Sequence, residues 1–150
     1  MTDEEACYHK LDYMYKAEGL IKKLSRKISI KPSVELRVLR CLMNAEKSNI
    51  RAKWFAGEET RNYAMKRKYL HDAIKELPKT GWKFYYQREP NTFFRYIFYV
   101  ILPGGIQVSW HGLNYEQDMN GVPENYDIPW DGARGVTLER IVNVINSTIG

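Results

Sequence analysis

The sequence predicts an α+β fold: an N-terminal layer of three to four helices packed on a three-stranded antiparallel meander, with a C-terminal helix over the sheet. Three observations carry that prediction. Apolar residues recur at steps of three and four before Pro78, and at steps of two from Trp82 onward. Turn-forming residues punctuate the chain at Pro78 and Gly81, and again at Gly104-Gly105. The charge divides at the same seam: residues 1–79 hold 18 Lys and Arg against 11 Asp and Glu, and residues 80–150 hold 5 against 7. No linker-like segment separates the halves, so residues 1–150 read as a single domain with a basic helical half (1–79) and a half of sheet, acidic loop and terminal helix (80–150).

The first helix opens on Thr2-Asp3-Glu4-Glu5, where a hydroxyl and a carboxylate three residues on can satisfy orphan N–H groups reciprocally. Its apolar stripe is Cys7, Leu11, Met14, Ala17, Ile21, Leu24 and Ile28, and Lys31-Pro32 ends it. Ser33 is placed to cap a second helix with Val34, Val38, Leu39, Leu42 and Met43 inward. The polar run Asn44–Asn49 predicts a short break, followed by a short helix through Ile50, Trp54 and Phe55 that stops at Gly57. Glu58-Glu59-Thr60 opens another helix running to Leu77, with Tyr63, Leu70, Ala73, Ile74 and Leu77 inward.

Beyond the seam Trp82, Phe84 and Tyr86 alternate with Lys83, Tyr85 and Gln87, as a half-buried strand requires. After a turn at Pro90-Asn91-Thr92, residues 93–102 are apolar or aromatic on both faces, which marks a central strand covered on both sides. Gly104-Gly105 predicts a two-residue hairpin. Ile106, Val108 and Trp110 then share one face, and Gln107, Ser109 and His111 the other. Residues 112–136 read as a long irregular loop, and length of that kind points to a functional or mobile segment. The last helix presents Leu138, Ile141, Val142, Ile145 and Ile149 to the sheet.

Composition narrows the function classes. The hydrophobic share of 44% and charged share of 27% over 150 residues are those of a folded globular domain. A net charge of +5 and a sequence pI near 9.1 favour polyanionic partners without naming one. Cys7 and Cys41 are too few for a disulfide scaffold and read as small buried thiols. The acidic start has no signal-peptide pattern, and the longest apolar stretch, Tyr96–Leu102, is too short for a bilayer. The expectation is a cytoplasmic protein with no membrane contact.

No metal or cofactor is expected. His9, His71 and His111 are scattered, the cysteines lack C-x-x-C spacing, and no phosphate-binding loop occurs. Asp118, Asn120, Glu124 and Asp127 have the wrong glycine offset for a calcium loop. His111 and Asp131 could pair as acid and base if the loop folds back, but no nucleophile accompanies them. The chain therefore reads as a non-enzyme with no catalytic residues. Two sets of binding residues stand out. Arg51, Lys53, Arg61, Lys66, Arg67 and Lys68 form a basic helical face, the helix-borne cations at positions expected to miss the apolar stripe, suited to nucleic acid or an acidic partner. Tyr115, Glu116, Asp118, Glu124, Asp127, Trp130 and Asp131 form an acidic loop suited to a partner's basic ground.

Two resemblances add to this. Leu36–Leu42 resembles the first helix of winged helix-turn-helix domains, and Tyr69–Leu77 with Gly81-Trp82 resembles a recognition helix running into its wing. That likeness, over residues 34–102, implies a DNA-binding regulator using the same cations. Against it stand the acidic turn at Glu58-Glu59 and the aromatic hairpin. Gly105-Ile106-Gln107-Val108-Ser109-Trp110-His111, then Trp130-Asp131-Gly132 and Thr137-Leu138-Glu139-Arg140, is similar to a pattern in small uncharacterised phage and prophage proteins. This second resemblance implies a binding protein that inhibits or modulates a host protein or nucleoprotein complex of the defence type. The winged-helix regulator is the alternative.

Overall fold

In the computed structural model, residues 2, 5, 8, 9, 12, 15, 34–54, 57–90, 95–102, 105–114, 118–127, 140 and 141 are described. Helix α1 spans Val34–Trp54 and helix α2 spans Glu59–Glu76. A single turn of 3₁₀ helix, Leu77–Lys79, follows α2. Strands β1 (Lys83–Arg88), β2 (Tyr96–Leu102) and β3 (Ile106–Leu113) form an antiparallel sheet in the order β1-β2-β3. Among the described residues the architecture is α+β, two full helices with a three-stranded meander, as the change of period predicts.

Helix α1 does not break where Asn44–Asn49 is polar; it runs through all 21 residues. The reason lies in burial. Ala45, Glu46 and Ser48 occupy core-facing positions between Leu42-Met43 and Ile50, so the buried stripe continues although its chemistry turns polar. Gly57, with φ of 83°, then supplies the left-handed backbone that turns the chain into α2. The Arg37–Glu76 ion pair at 3.5 Å joins the start of α1 to the end of α2, so the helices lie antiparallel. Leu70, Ala73, Ile74 and Leu77 pack against Leu36, Leu39, Leu42 and Met43. Tyr63, expected inward, is 47% exposed.

The sheet presents Tyr96, Phe98, Val100 and Leu102 of β2 to this helical core, with Phe84 and Tyr86 of β1 and Val108 and Trp110 of β3. Ile97 and Tyr99 form a second buried cluster with Tyr85 on the opposite face. Residues 97–100 all have 0% exposure, so the central strand is covered on both sides. Each large side chain buried in this way contributes about 1.5–3 kcal/mol. Phe98 and Trp110 stack with centroids 6.1 Å apart, and Tyr86 meets Tyr96 edge-on at 5.7 Å.

Two details of the ladder depart from the simple alternation. Leu102 pairs with Ile106, which leaves three residues between the strands instead of two. Gly105 at φ of 75° takes the left-handed position of that loop. Further along, Phe98 pairs with Trp110 but Tyr96 pairs with Leu113, so His111 and Gly112 together oppose Ile97. This bulge reverses the parity of β3, and Leu113 joins Val108 and Trp110 in the main core.

The segment expected to be a free loop is partly interior. Gly112 and Leu113 belong to β3, and Met119 and Val122 are buried in the main core. Residues 123–125 lie along the outer side of β1. Tyr86 N–H donates to Pro123 O at 2.9 Å, and Asn125 N–H donates to Tyr86 O at 3.0 Å. Tyr86 Oη donates to Glu124 Oε2 at 2.7 Å, and Gln87 Nε2 donates to Tyr126 O at 3.1 Å.

At the N-terminus residues 5, 8, 9, 12 and 15 are helical, and Glu5 N–H donates to Thr2 Oγ1 at 3.1 Å, the contact expected of a capping threonine. At the other end residues 140 and 141 are helical; Ile141 is buried in the main core, and Arg140 Nη1 donates to Gln107 O. The remaining stripe residues of the first and last predicted helices, with Ser33, Phe55 and the turn at 91–92, lie outside the described residues.

Candidate functional site

Polar side chains from α2, the β1–β2 connection, β3 and the segment after it converge at one end of the sheet. They line a cleft of about 540 Å³ between α2, the β1–β2 turn and the bulged end of β3. Its wall holds Lys66 and Arg67 from α2, Glu89 and Arg95 from the β1–β2 connection, and His111 and Asp118. Tyr63, Asn49, Leu113 and Asn114 complete it. The bulge sets one part of this geometry. It falls at His111, whose Nδ1 lies 3.4 Å from Glu89 Oε1, and Glu89 N–H donates to Arg95 O at 2.9 Å to close the hairpin. Glu89 is thus the imidazole's carboxylate partner; Asp131, the partner expected, lies outside the described residues.

Asp118 is the hub of a second group. Its carboxylate is 4% exposed and accepts from Arg67 Nε at 2.8 Å and from Asn114 N–H at 2.8 Å, with His71 Nε2 at 2.9 Å. Burial alone would raise its pKa, but the Asn114 amide, Arg67 and His71 outweigh that and hold the carboxyl below the usual carboxylate range. Asp118 was expected to face a partner. It is instead an internal anchor that ties itself and the Asn114 amide to α2.

Lys66 departs furthest from expectation. Counting back from Leu70 and Ala73 by four and seven places Lys66 on the apolar stripe, and it is only 8% exposed. Burial pushes its ammonium pKa down, against the opposing pull of the Glu46, Asp118 and Glu89 carboxylates. Its Nζ stands 6.0 Å from the Tyr63 ring centroid. Glu46 is buried likewise on α1, where its Oε1 accepts from Asn49 Nδ2 at 3.4 Å.

The other expected cations are dispersed over α1 and α2. Arg51 and Arg61 line a separate groove of about 310 Å³ between the two helices, with Lys47, Asn44, Asn62 and Glu58. Lys53 and Lys68 are exposed, and Lys68 Nζ lies 5.9 Å from the Tyr69 ring centroid. Arg67 belongs to the Asp118 group. Of the acidic loop residues, Glu124 and Asp127 are exposed; Glu124 accepts from Tyr86, and Asp127 N–H donates to Asn125 Oδ1 at 2.9 Å. Tyr115, Glu116, Trp130 and Asp131 lie outside the described residues.

Sequence reasoning missed Glu46, Glu89, Arg95 and Lys47 as site residues. For Glu46 the signal was present: a carboxylate spaced three from Met43 and four from Ile50 sits on a core stripe. Glu89 and Arg95 carry no such signal, because a hairpin turn brings them together. Among the described residues no group of three or more His, Cys, Asp or Glu could hold a metal ion, and no helix is long and apolar enough to cross a membrane. No family model, curated protein or solved structure matches this chain.

Proposed function

We propose that this chain acts by binding, without turnover, and that it inhibits or modulates a host protein or nucleoprotein complex, in the manner of small phage proteins. The observation that carries the reading is the groove between α1 and α2, which Lys47, Arg51 and Arg61 line together with Glu58. Amides of Asn44 and Asn62 share that wall. Clustered cations beside neutral donors suit an anionic surface, and the field they create speeds encounter as well as holding the complex. Glu124 and Asp127 add exposed carboxylates on the β1 side of the sheet. The Gln107-to-His111 pattern supports the phage-type origin by resemblance alone.

The test is capture of a host partner by the tagged chain, with nuclease-treated and untreated lysates run in parallel. A stoichiometric protein partner in both, lost when Lys47, Arg51 and Arg61 are changed to Glu, supports the reading. Loss of every partner on nuclease treatment favours the DNA-binding alternative, for which the same groove is the favouring observation. In that case duplex affinity falls steeply with salt, by a slope of about 0.9 per phosphate neutralised. No partner under either condition refutes both.

A further inference from the structure

The cleft at the bulged end of the sheet is lined by a buried cation that no described residue holds by a hydrogen bond or ion pair. Lys66 is nine-tenths buried, lines the cleft, and among the described residues makes no hydrogen bond or ion pair. An ammonium removed from water is costly unless paired. Three carboxylates act on it, yet among the described residues none comes within ion-pair distance of its ammonium. Glu46 accepts from Asn49, Glu89 stands against His111, and Asp118 is held by Arg67, His71 and the Asn114 amide. The three N–H donors of Lys66 are therefore left to whatever enters the cleft.

We propose that this cleft is a binding site for a small phosphomonoester ligand, its phosphate received by Lys66 with Arg67 and Arg95 in the same wall. The chemistry of the wall supports that class. Lysine meets phosphate as a point charge and arginine as a planar fork, and the two Arg side chains border the cleft that Lys66 lines. The wall sets three cations, Lys66, Arg67 and Arg95, against two carboxylates, Glu89 and Asp118, so its field stays positive. Half-exposed Tyr63 puts an aromatic ring beside Lys66, and Asn49 and Asn114 add amide groups able to read a polar ring edge. At about 540 Å³ the space lies within the range that small-molecule sites occupy, about 300–1,000 Å³. A mononucleotide has all the groups this wall would meet: a dianion, a polar edge and a flat ring. This site is separate from the groove between the helices and stands independently of the function proposed above.

The experiment is calorimetric titration of the full chain with inorganic phosphate, AMP and glutamate, repeated on Lys66→Met, Lys66→Arg and Arg95→Gln. Saturable one-to-one binding of AMP, weaker binding of phosphate and none of glutamate is expected. Lys66→Met should weaken AMP by about tenfold or more, the loss of one hydrogen bond to a charged group, while Lys66→Arg retains part of the affinity. Carbon-13 shifts of the Lys66 ε-methylene give a second readout: AMP should move its titration towards the ordinary lysine value. If Lys66→Met fails to fold, the Arg95→Gln affinity and the Lys66 shift decide the matter in the wild-type background. The proposal is overturned if AMP does not saturate, if glutamate binds as tightly as AMP, or if AMP leaves both the Lys66 shift and the Arg95→Gln affinity unchanged.

Discussion

Replacing Asp118 by Asn keeps the shape of the side chain and removes the charge on which Arg67, Asn114 and His71 converge. The variant loses a charge-assisted hydrogen bond from Arg67 and turns an amide group towards donors. A hydrogen bond to a charged group contributes about 1.5–3 kcal/mol. Arg67 and His71 are 39% and 38% exposed, so water recovers part of that loss, and a net cost of about 2 kcal/mol follows. For a chain of this length the melting temperature should drop by about 4–8 °C. The sign with pH is fixed by the depressed pKa of Asp118. The folded state holds its proton less tightly than the unfolded chain, so the stabilisation is complete above the ordinary aspartate value. It fades as pH falls through the depressed one. Thermal or urea unfolding of both proteins, at neutral pH and at stepwise lower pH, should show the gap closing in acid. A gap that is absent at neutral pH, or that stays constant into acid, would refute the assignment of Asp118 as a charged anchor.

Lys66 gives the opposite pH signature. Its folded pKa is depressed below 10.5, so between the two values the unfolded chain binds more protons and wild type gains stability as pH rises; unfolding of Lys66→Met should lack that gain. Gly105→Ala meets no atom within 4 Å but must hold φ of 75°, and should cost about 1–2 kcal/mol in urea unfolding. Tyr86→Phe deletes the 2.7 Å bond to Glu124 and should cost about 1–2 kcal/mol, with faster amide exchange at Asn125. The Cys41 thiol is pushed up by burial and then by Asp72 and Glu76, so in a Cys7→Ser background it should react with a disulfide reagent more slowly than free cysteine.

Much of the scaffold is legible in the sequence because it depends on period. The switch from steps of three and four to steps of two places the sheet correctly, and the doubly apolar run Tyr96–Leu102 marks the central strand. What escapes is structure decided by long-range pairing. Asn44–Asn49 reads as a break because polar residues end amphipathic stripes; here Glu46 and Ser48 are buried polar members of an unbroken helix. Lys66 reads as solvated for the same reason. The bulge at His111-Gly112 is invisible to an alternation rule, since only pairing with Ile97 shows two residues opposite one. Asp118 and Arg67 are 51 residues apart, and no local pattern joins them.

The strip of chain laid along β1 bears on how this molecule behaves in a crowded solution. An uncovered outer strand offers a row of amides and carbonyls to any extended peptide, and that is a common start for aggregation. Here the Tyr86 amide and carbonyl are both occupied by residues 123 and 125. A partner seeking to add a strand on that side must first peel away a segment rooted in the core through Met119 and Val122. Recognition by strand addition is thereby penalised at β1, which leaves side-chain chemistry as the language this face can use.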